Sequence, residues 1–397
     1  MKRIHSILLV LAAVVMSGTA SASGPLTASQ THGLLLSPDK TVCAVGRNEY
    51  GELGDGTTVD RSMPVTAAVI AGAVSVSSGW YHGLAVEAGG TVWAWGYNAY
   101  GELGDGTNND TPTPFQVPNI SGIVAVAAGQ YHSLALRNDG TVWAWGYNGN
   151  GQLGDGTTTN RSIPVQVVGL SGITAIAAGQ DHSMALKNDG TVWTWGYNGY
   201  GNLGNGSTTQ SPNVVQVTGL TGVTAIAAGA EHNLALKSDG TVWGWGYNGY
   251  GNLGDGSTAN RVNIVQTSGL SGVTGVAAGT YHSLAVKSDG TVWAWGYNGD
   301  GELGVATNVN HTTAVQVNVL STAVAVAAGS AHSLALTNDG KLWGWGDNQY
   351  GELGHGTGNA SLIPVAASAC ASGVFTGAGT SAAANRLAAS QNFGMVV

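Results

Sequence analysis

The chain alternates short apolar runs with polar, glycine-rich segments. Residues 123–128 are small and apolar, residues 132–136 and 141–145 alternate in side-chain size, and residues 163–167 form a fourth short run. Such alternation over four to eight residues is typical of half-buried β-strands, and Asn-Asp-Gly at 138–140 is a strong hairpin signal. This stretch therefore predicts four short antiparallel strands.

The same pattern recurs at a spacing of 50 residues. Pairs of tryptophans separated by one residue stand at 93/95, 143/145, 193/195, 243/245, 293/295 and 343/345. A histidine recurs in register at His32, His82, His132, His182, His232, His282 and His332. Gly-x-Leu-Gly recurs seven times as well. A single four-stranded unit cannot bury both of its faces, whereas a ring of units buries each sheet against its neighbours.

Side-chain size favours a ring over an open stack. The first strand of each unit is built from Ala, Val and Gly, which suits the crowded axis of a ring, and the third strand carries the tryptophans, which suit the wider outer part. We therefore predict an all-β fold, a seven-bladed β-propeller with four antiparallel strands per blade and a 50-residue repeat, over residues 23–380.

The two ends of the chain depart from the repeat. Residues 1–22 combine Lys2 and Arg3, an apolar stretch and an Ala-Ser-Ala ending, which predicts a cleaved signal peptide and a secreted or periplasmic protein. Residues 381–397 are a degenerate C-terminal tail. Residues 24–30 contain Pro25 and make a poor first strand, so we expect residues 371–379 to complete the N-terminal blade.

Composition narrows the classes of function. The chain has 64 glycines, only 9% charged residues and a net charge of −9. An acidic chain repels phosphates, so a nucleic-acid partner is not expected, and no apolar stretch approaches the roughly 20 residues of a membrane span. Two cysteines exclude a disulfide-dense scaffold. A closed ring would bring Cys43 and Cys370 towards each other, and whether they bond stays open.

Three repeated motifs resemble chemical sites. The histidines could suggest a metal array, but sevenfold placement keeps equivalent side chains apart, and each histidine is expected to hydrogen-bond the glycine turn before it. Gly149-x-Gly-x-x-Gly154 lacks the following helix that a dinucleotide fingerprint requires. The Gly-Asp-Gly stretches lack the spacing of a calcium-binding EF-hand loop. We therefore predict no cofactor, no metal and no catalytic residues, and the protein is not expected to be an enzyme.

Residues 127–136, Asp139-Gly140, residues 143–148 and residues 151–154 together resemble the regulator-of-chromosome-condensation repeat. The resemblance covers about residues 28–370 and implies a seven-bladed propeller. The family's best-known member exchanges nucleotide on a small nuclear GTPase, using an inserted wedge and a basic tail. The 50-residue spacing here contains no insertion. Within the family the chain is also similar to a secreted bacterial β-lactamase inhibitor protein, which binds its target with aromatic residues in the loop before the histidine.

Variation between the repeats points to a partner-binding surface. The two residues before each histidine vary most, and one position of the long loop after the third strand also varies. Antiparallel strand order places both sets of loops at the same end of the propeller. The predicted partner-binding residues are Trp80, Tyr81, Tyr131, Asp181, Glu231, Tyr281, Tyr100, Tyr200, Tyr250 and Tyr350. Tyrosine and tryptophan are common in protein interfaces.

These observations predict a secreted, non-catalytic and monomeric scaffold that binds a protein partner. The two acidic residues in the loops favour a partner with a cationic surface. Two alternatives stay open. Repeated aromatic loops could instead serve as platforms for sugars in a lectin-like propeller, and the family resemblance implies guanine-nucleotide exchange activity.

Overall fold

The computed structural model describes residues 26–37 and 39–368. Within these ranges the chain forms 28 β-strands arranged in seven four-stranded sheets. The predicted all-β, seven-bladed propeller is confirmed. The described part of the chain holds no helix of the length and apolarity that crossing a membrane requires.

Each blade contributes one strand to each of four concentric positions. The first strands are β1 (Leu26–Ala28), β5 (Ala73–Ser78), β9 (Ile123–Ala128), β13 (Ile173–Ala178), β17 (Val223–Ala228), β21 (Val273–Ala278) and β25 (Ala323–Ala328). The second strands are β2 (His32–Leu36), β6 (His82–Glu87), β10 (His132–Arg137), β14 (His182–Lys187), β18 (His232–Lys237), β22 (His282–Lys287) and β26 (His332–Thr337). The third strands are β3 (Val42–Gly46), β7 (Val92–Gly96), β11 (Val142–Gly146), β15 (Val192–Gly196), β19 (Val242–Gly246), β23 (Val292–Gly296) and β27 (Leu342–Gly346). The fourth strands are β4 (Arg61–Thr66), β8 (Thr111–Gln116), β12 (Arg161–Gln166), β16 (Ser211–Gln216), β20 (Arg261–Gln266), β24 (His311–Gln316) and β28 (Ser361–Ala366).

Blade 3 illustrates how a sheet is assembled from local signals. Strand β10 pairs with β11 in an antiparallel register that sets Ala135 opposite Trp143. In the hairpin between them, the Asp139 carboxylate accepts the backbone N–H of Thr141 at 3.0 Å, and Gly140 has a φ of +79°. Glycine reaches this left-handed conformation without the steric cost of a Cβ atom, so the Asp-Gly pair fixes the turn.

The first strands close the ring around the axis. Each one contacts the first strand of the next blade, and β1 contacts both β5 and β25. The expectation that residues 24–30 would fail as a first strand is wrong, because Leu26, Thr27 and Ala28 pair with β2 and are buried. Residues 371–379 lie outside the described residues.

The tryptophans join one blade to the next. Trp145 in blade 3 is fully buried, and its indole N–H donates to the backbone carbonyl of Glu102 in blade 2 at 2.6 Å. Equivalent bonds of Trp95, Trp195, Trp245, Trp295 and Trp345 measure between 2.7 and 2.9 Å. Each indole combines a large apolar contact with one satisfied polar group, which makes it a staple between neighbouring blades.

Cys43 lies at the junction of blades 7 and 1, where the two ends of the ring meet. Cys43 occupies the position of the first tryptophan of the pair in blade 1, where it is buried and disulfide-bonded. Cys370 lies outside the described residues.

Candidate binding surface

The two variable sets of loops lie at one end of the propeller and contact each other across blade boundaries. The ring centroids of Tyr50 in blade 1 and Tyr81 in blade 2 are 5.6 Å apart. Those of Tyr100 in blade 2 and Tyr131 in blade 3 are 5.3 Å apart. The loop after the third strand of one blade therefore meets the loop before the histidine of the next.

Blades 1–3 carry the first aromatic cluster, a connected group of seven rings. Trp80 lies 6.1 Å from Tyr81 and 6.3 Å from Tyr131, and Tyr81 stacks on Tyr131 at 6.1 Å. The cluster consists of Tyr50, Trp80, Tyr81, Tyr97, Tyr100, Tyr131 and Tyr147. Burial raises the pKa of the Tyr131 hydroxyl to about 12, so this phenol is neutral at physiological pH.

Blades 4–6 carry the second aromatic cluster, with six rings. Tyr250 links its neighbours, because its ring lies 5.2 Å from Tyr281 and 4.9 Å from Tyr297. Tyr200 and Tyr281 are each slightly more than one-third exposed. The cluster consists of Tyr197, Tyr200, Tyr247, Tyr250, Tyr281 and Tyr297.

Both clusters include a set of tyrosines that sequence reasoning missed, the residue that follows Trp-x-Trp-Gly. These are Tyr97, Tyr147, Tyr197, Tyr247 and Tyr297. Tyrosine occupies this position in five of the seven repeats, with Arg47 and Asp347 in the other two, and such near-constancy indicated a structural role. In the structure they fill the space between the variable rings. A Cβ atom on Gly149 would lie 2.2 Å from the Tyr147 hydroxyl, so glycine at that position allows the ring to lie against the loop.

Tyr350 in blade 7 belongs to neither cluster. Its ring lies 5.5 Å from the guanidinium of Arg47 in blade 1, and the same guanidinium lies 5.6 Å from the ring of Tyr81. Arg47 also forms an ion pair with Glu49. Cation–π contacts thus connect Tyr350 to the first aromatic cluster. The two clusters, Arg47 and Tyr350 together are called the binding surface below.

The predicted acidic residues Asp181 and Glu231 are partly buried between neighbouring blades. Asp181 accepts a hydrogen bond from the Gln152 side chain at 3.0 Å, and Glu231 accepts one from the Asn202 side chain at 2.9 Å. Burial raises the pKa of Asp181 to about 6 and that of Glu231 to about 8. Their charge therefore depends on pH and on what covers them.

Four further carboxyls occupy the equivalent junctions elsewhere. Glu52, Glu102, Glu302 and Glu352 are buried in the long loops. The Glu102 carboxyl accepts the backbone N–H of Tyr100 at 2.8 Å, while its other oxygen has no hydrogen-bond partner. Burial raises the pKa of Glu102 to about 8. Sequence reasoning missed these residues, although the acid or amide before Leu-Gly in every repeat was an available signal.

The histidines make the predicted hydrogen bond to the glycine turn before them, and they make it with the backbone. The carbonyl of His132 accepts the N–H of Gly129 at 2.8 Å. The ring has a second role that sequence reasoning missed, because its Nε2 lies 2.9 Å from the Ser183 hydroxyl of the next blade. The rings of His82, His182, His232 and His282 make equivalent contacts with the next blade. In blade 1, by contrast, the His32 ring does bond Ser29 of its turn.

Burial lowers the pKa of the His132 ring to about 3, so the ring is neutral. Over residues 26–37 and 39–368, no three or more His, Cys, Asp or Glu side chains are grouped so that they could hold a metal ion.

Comparison of folds gives several matches with the same architecture. The crystal structure of human WBSCR16 matches with a TM-score of 0.73 and 22% sequence identity, over 81% of this chain and 92% of that chain. The yeast RCC1 protein Prp20, in its complex with Kap60, matches with a TM-score of 0.75 and 22% identity, over 100% of this chain and 96% of that chain. Prp20p from Saccharomyces cerevisiae, in a structure whose title names its binding to Gsp1p and histones, matches with a TM-score of 0.73 and 23% identity, over 88% of each chain. At these identities the likeness shows the fold alone.

No curated protein sequence matches the chain. The similarity to a secreted β-lactamase inhibitor stays a prediction. The family model described as the regulator of chromosome condensation (RCC1) repeat matches residues 39–86, 89–136, 139–186, 189–236, 239–286, 289–336 and 339–384. These matches cover most of the sequence, and the chain therefore belongs to the RCC1 repeat family.

Proposed function

We propose that the protein is an exported, non-catalytic scaffold that binds a protein partner through the binding surface. The observation that carries this proposal is the continuity of the aromatic rings across neighbouring blades, as in Tyr100 and Tyr131 at 5.3 Å. Large, rigid aromatic side chains bury area at low entropic cost, and they dominate the energetics of many protein interfaces. Two solved structures with the same fold concern proteins with protein partners: Prp20 is bound by Kap60, and Prp20p binds Gsp1p and histones.

The charges near the rings favour a basic partner. Asp300 and Asp347 lie in the long loops of blades 6 and 7. Asp181 and Glu231 in blades 4 and 5 gain negative charge as the pH rises, because burial raises their pKa to about 6 and about 8. Arg47 is the basic side chain that contacts the rings, and Glu49 already neutralises it. Complementary charge raises the rate of association and selects among partners.

Ring packing favours a protein over a sugar as the ligand. A sugar-binding platform stacks the ligand on an open ring face, whereas many rings here meet edge to face, as Tyr50 and Tyr97 do at 71°. In an edge-to-face pair the edge of one ring covers a face of the other, which leaves fewer open faces on which a sugar could stack. A glycan array probed with the full chain tests the alternative, and saturable binding to a defined glycan would contradict the proposal.

The central experiment is capture of proteins from culture medium on the immobilised chain, compared with the Trp80→Ala/Tyr81→Ala variant. We expect a partner that binds the native chain and is lost with the variant, because both rings belong to the first aromatic cluster. Lys187→Ala is the matched control, since its hairpin lies at the opposite end of the blades. Equal capture by the native chain and the double variant would contradict the proposal.

A further inference from the structure

Three hydrogen-bonding positions recur at the junctions between blades. At the junction of blades 2 and 3, the Glu102 carbonyl accepts the Trp145 indole at 2.6 Å and the Ser133 hydroxyl at 2.8 Å. The same Ser133 hydroxyl lies 3.0 Å from Nε2 of His82. An indole, a hydroxyl and an imidazole therefore converge on one boundary and join the two blades.

The junction of blades 7 and 1 lacks this set. Val45 stands where the other blades have the stapling tryptophan, and Gly33 stands where blade 3 has Ser133. As a result, the equivalent carbonyl, that of Glu352, accepts no indole or hydroxyl from residues 26–37 or 39–368. Nε2 of His332, which would face that hydroxyl, is buried without a hydrogen-bond partner.

The missing side chains leave a gap in the packing. A narrow, mostly apolar cavity is lined by Gly33, Val45, Pro64, Leu334, Glu352 and Gly354, among others. At the junction of blades 1 and 2, the position equivalent to Gly354 is Gly54, against which the Trp95 indole packs: a Cβ atom on Gly54 would lie 3.0 Å from its nitrogen. A Cβ atom on Gly354 meets nothing closer than Ala367 at 3.6 Å.

Other contacts keep the junction closed in the structure. The Gly356 N–H donates to the Ser62 carbonyl at 2.9 Å, and the Ser330 N–H donates to the Ser29 carbonyl at 3.1 Å. Arg47 reaches across the boundary to the Tyr350 ring at 5.5 Å. Between them, Leu35 and the disulfide-bonded Cys43 of blade 1 share a buried apolar cluster with Leu334 of blade 7. The junction is therefore attached, but it has neither the stapling indole nor the hydroxyl of the other boundary.

We propose that the ring opens locally at the junction of blades 7 and 1, and that this opening separates Tyr350 from Arg47 and the first aromatic cluster. Proteins open in cooperative units whose free energies follow their local packing and hydrogen bonding. The junction of blades 7 and 1 combines the cavity with an unpartnered histidine nitrogen. Its significance for partner binding rests on the function proposed above, but the opening itself does not.

Hydrogen exchange of the full, oxidised chain measures the opening without any partner. We expect amides of β2 and β28 to exchange about 10–100-fold faster than their equivalents in β14 and β16, because each missing hydrogen bond lowers the local opening free energy. Val45→Trp and Gly33→Ser should each slow exchange on both sides of the boundary. Equal protection in all seven blades would overturn the proposal.

A transplanted gap separates the proposal from simple fraying of chain ends. Trp145→Val combined with Ser133→Gly recreates the gap between blades 2 and 3, where the chain is continuous. We expect exchange in β8 and β10 to rise towards that of blade 1. Fraying alone predicts that Val45→Trp and Gly33→Ser leave exchange in blade 1 unchanged, and that result would also overturn the proposal.

The capture experiment described above measures partner binding independently of hydrogen exchange. If the opening is present but Trp80→Ala/Tyr81→Ala captures the same proteins as the native chain, the proposed function fails and the opening stands. If capture depends on the rings but exchange is uniform, the function stands and the opening fails.

Discussion

The junction of blades 2 and 3 and the junction of blades 7 and 1 carry different side chains at equivalent positions and so make different contacts. In the first, a buried indole and a serine hydroxyl satisfy one carbonyl and the serine also meets a histidine. In the second, Val45 and Gly33 occupy those positions. This difference predicts that a closed ring of near-identical blades is not uniformly stable, because a few side chains per boundary supply the hydrogen bonds between blades.

The sharpest test of this comparison removes a staple from an intact junction. Trp195→Val deletes a fully buried indole and its 2.8 Å bond to the Gln152 carbonyl. We expect a loss of about 3–5 kcal/mol in the free energy of unfolding, from lost burial and the cavity left behind, measured by urea denaturation. The matched control is Trp193→Val, since that ring is only partly buried. Equal losses for the two variants would contradict the role of the inner tryptophan.

The second prediction concerns the pH dependence of stability, because nearly every junction contains buried histidine and carboxyl side chains. Burial lowers the pKa of the repeated histidines, to about 3 for His82, and raises that of the junction carboxyls, to about 8 for Glu302. The folded chain therefore holds protons on the carboxyls that the unfolded chain has lost, and stability falls as pH rises from about 4.5 towards 8. For the histidines the unfolded chain holds the extra proton, and stability falls as pH drops from about 6.5 towards 3.

The two effects oppose each other between about pH 4.5 and 6.5, so stability should be nearly flat there and fall on either side. Thermal unfolding across this range should give a midpoint about 5 °C or more lower at pH 8.5 than at pH 6. Glu102→Gln should reduce the alkaline loss. The junction of blades 5 and 6 has Asn252 and Tyr281 where other junctions carry an acid. Asn252→Asp introduces an acid there and should increase the alkaline loss of stability. A midpoint that is unchanged between pH 6 and 8.5 would contradict the assignment.

Features within one blade could be predicted from the sequence, whereas contacts between blades could not. The strands, the ring and the end that carries the variable loops were predictable, because local alternation and a fixed repeat determine them. The partners of His132 and Trp145 were not, since each lies in a neighbouring blade and depends on the rotation between sheets. The role of residues 26–28 was misjudged from Pro25, although the strand begins just after it.

The candidate site was recovered only in part. Variation between repeats assigned Trp80, Tyr81 and Tyr131 to one end of the propeller, and the structure brings their rings into contact. It could not identify Tyr97 or Glu102, whose positions hold tyrosine in five of the seven repeats and glutamate in four. A residue can be repeated for packing and still contribute to a surface, so constancy within one chain does not separate the two roles.

The third prediction removes the hydroxyl from an intact junction. Ser183→Ala leaves Nε2 of His132 and the Gln152 carbonyl without the bonds of 2.9 and 2.8 Å that they have now. We expect a loss of about 1–3 kcal/mol in the free energy of unfolding, because buried polar groups without partners are costly. Ser238→Ala, at an exposed hairpin, should change stability little. A loss in Ser238→Ala as large as that in Ser183→Ala would argue against the junction as the cause.

The smallest effect comes from restoring the hydroxyl where it is missing. Gly33→Ser should stabilise the chain by about 1 kcal/mol, since its hydroxyl can reach the Glu352 carbonyl and Nε2 of His332. A Cβ atom at Gly33 meets the Thr27 carbonyl at 3.2 Å, which requires only a small adjustment. Gly83→Ser is the matched control at the junction of blades 1 and 2, where Nε2 of His32 also lacks a partner. There a Cβ atom would lie 2.3 Å from the Trp95 ring, so the same substitution should destabilise. Urea denaturation measures the change in the free energy of unfolding for both variants. Opposite signs would show that Trp95 fills the space beside Gly83, whereas Val45 leaves the space beside Gly33 open. Stabilisation by both variants would show that the Trp95 ring can move.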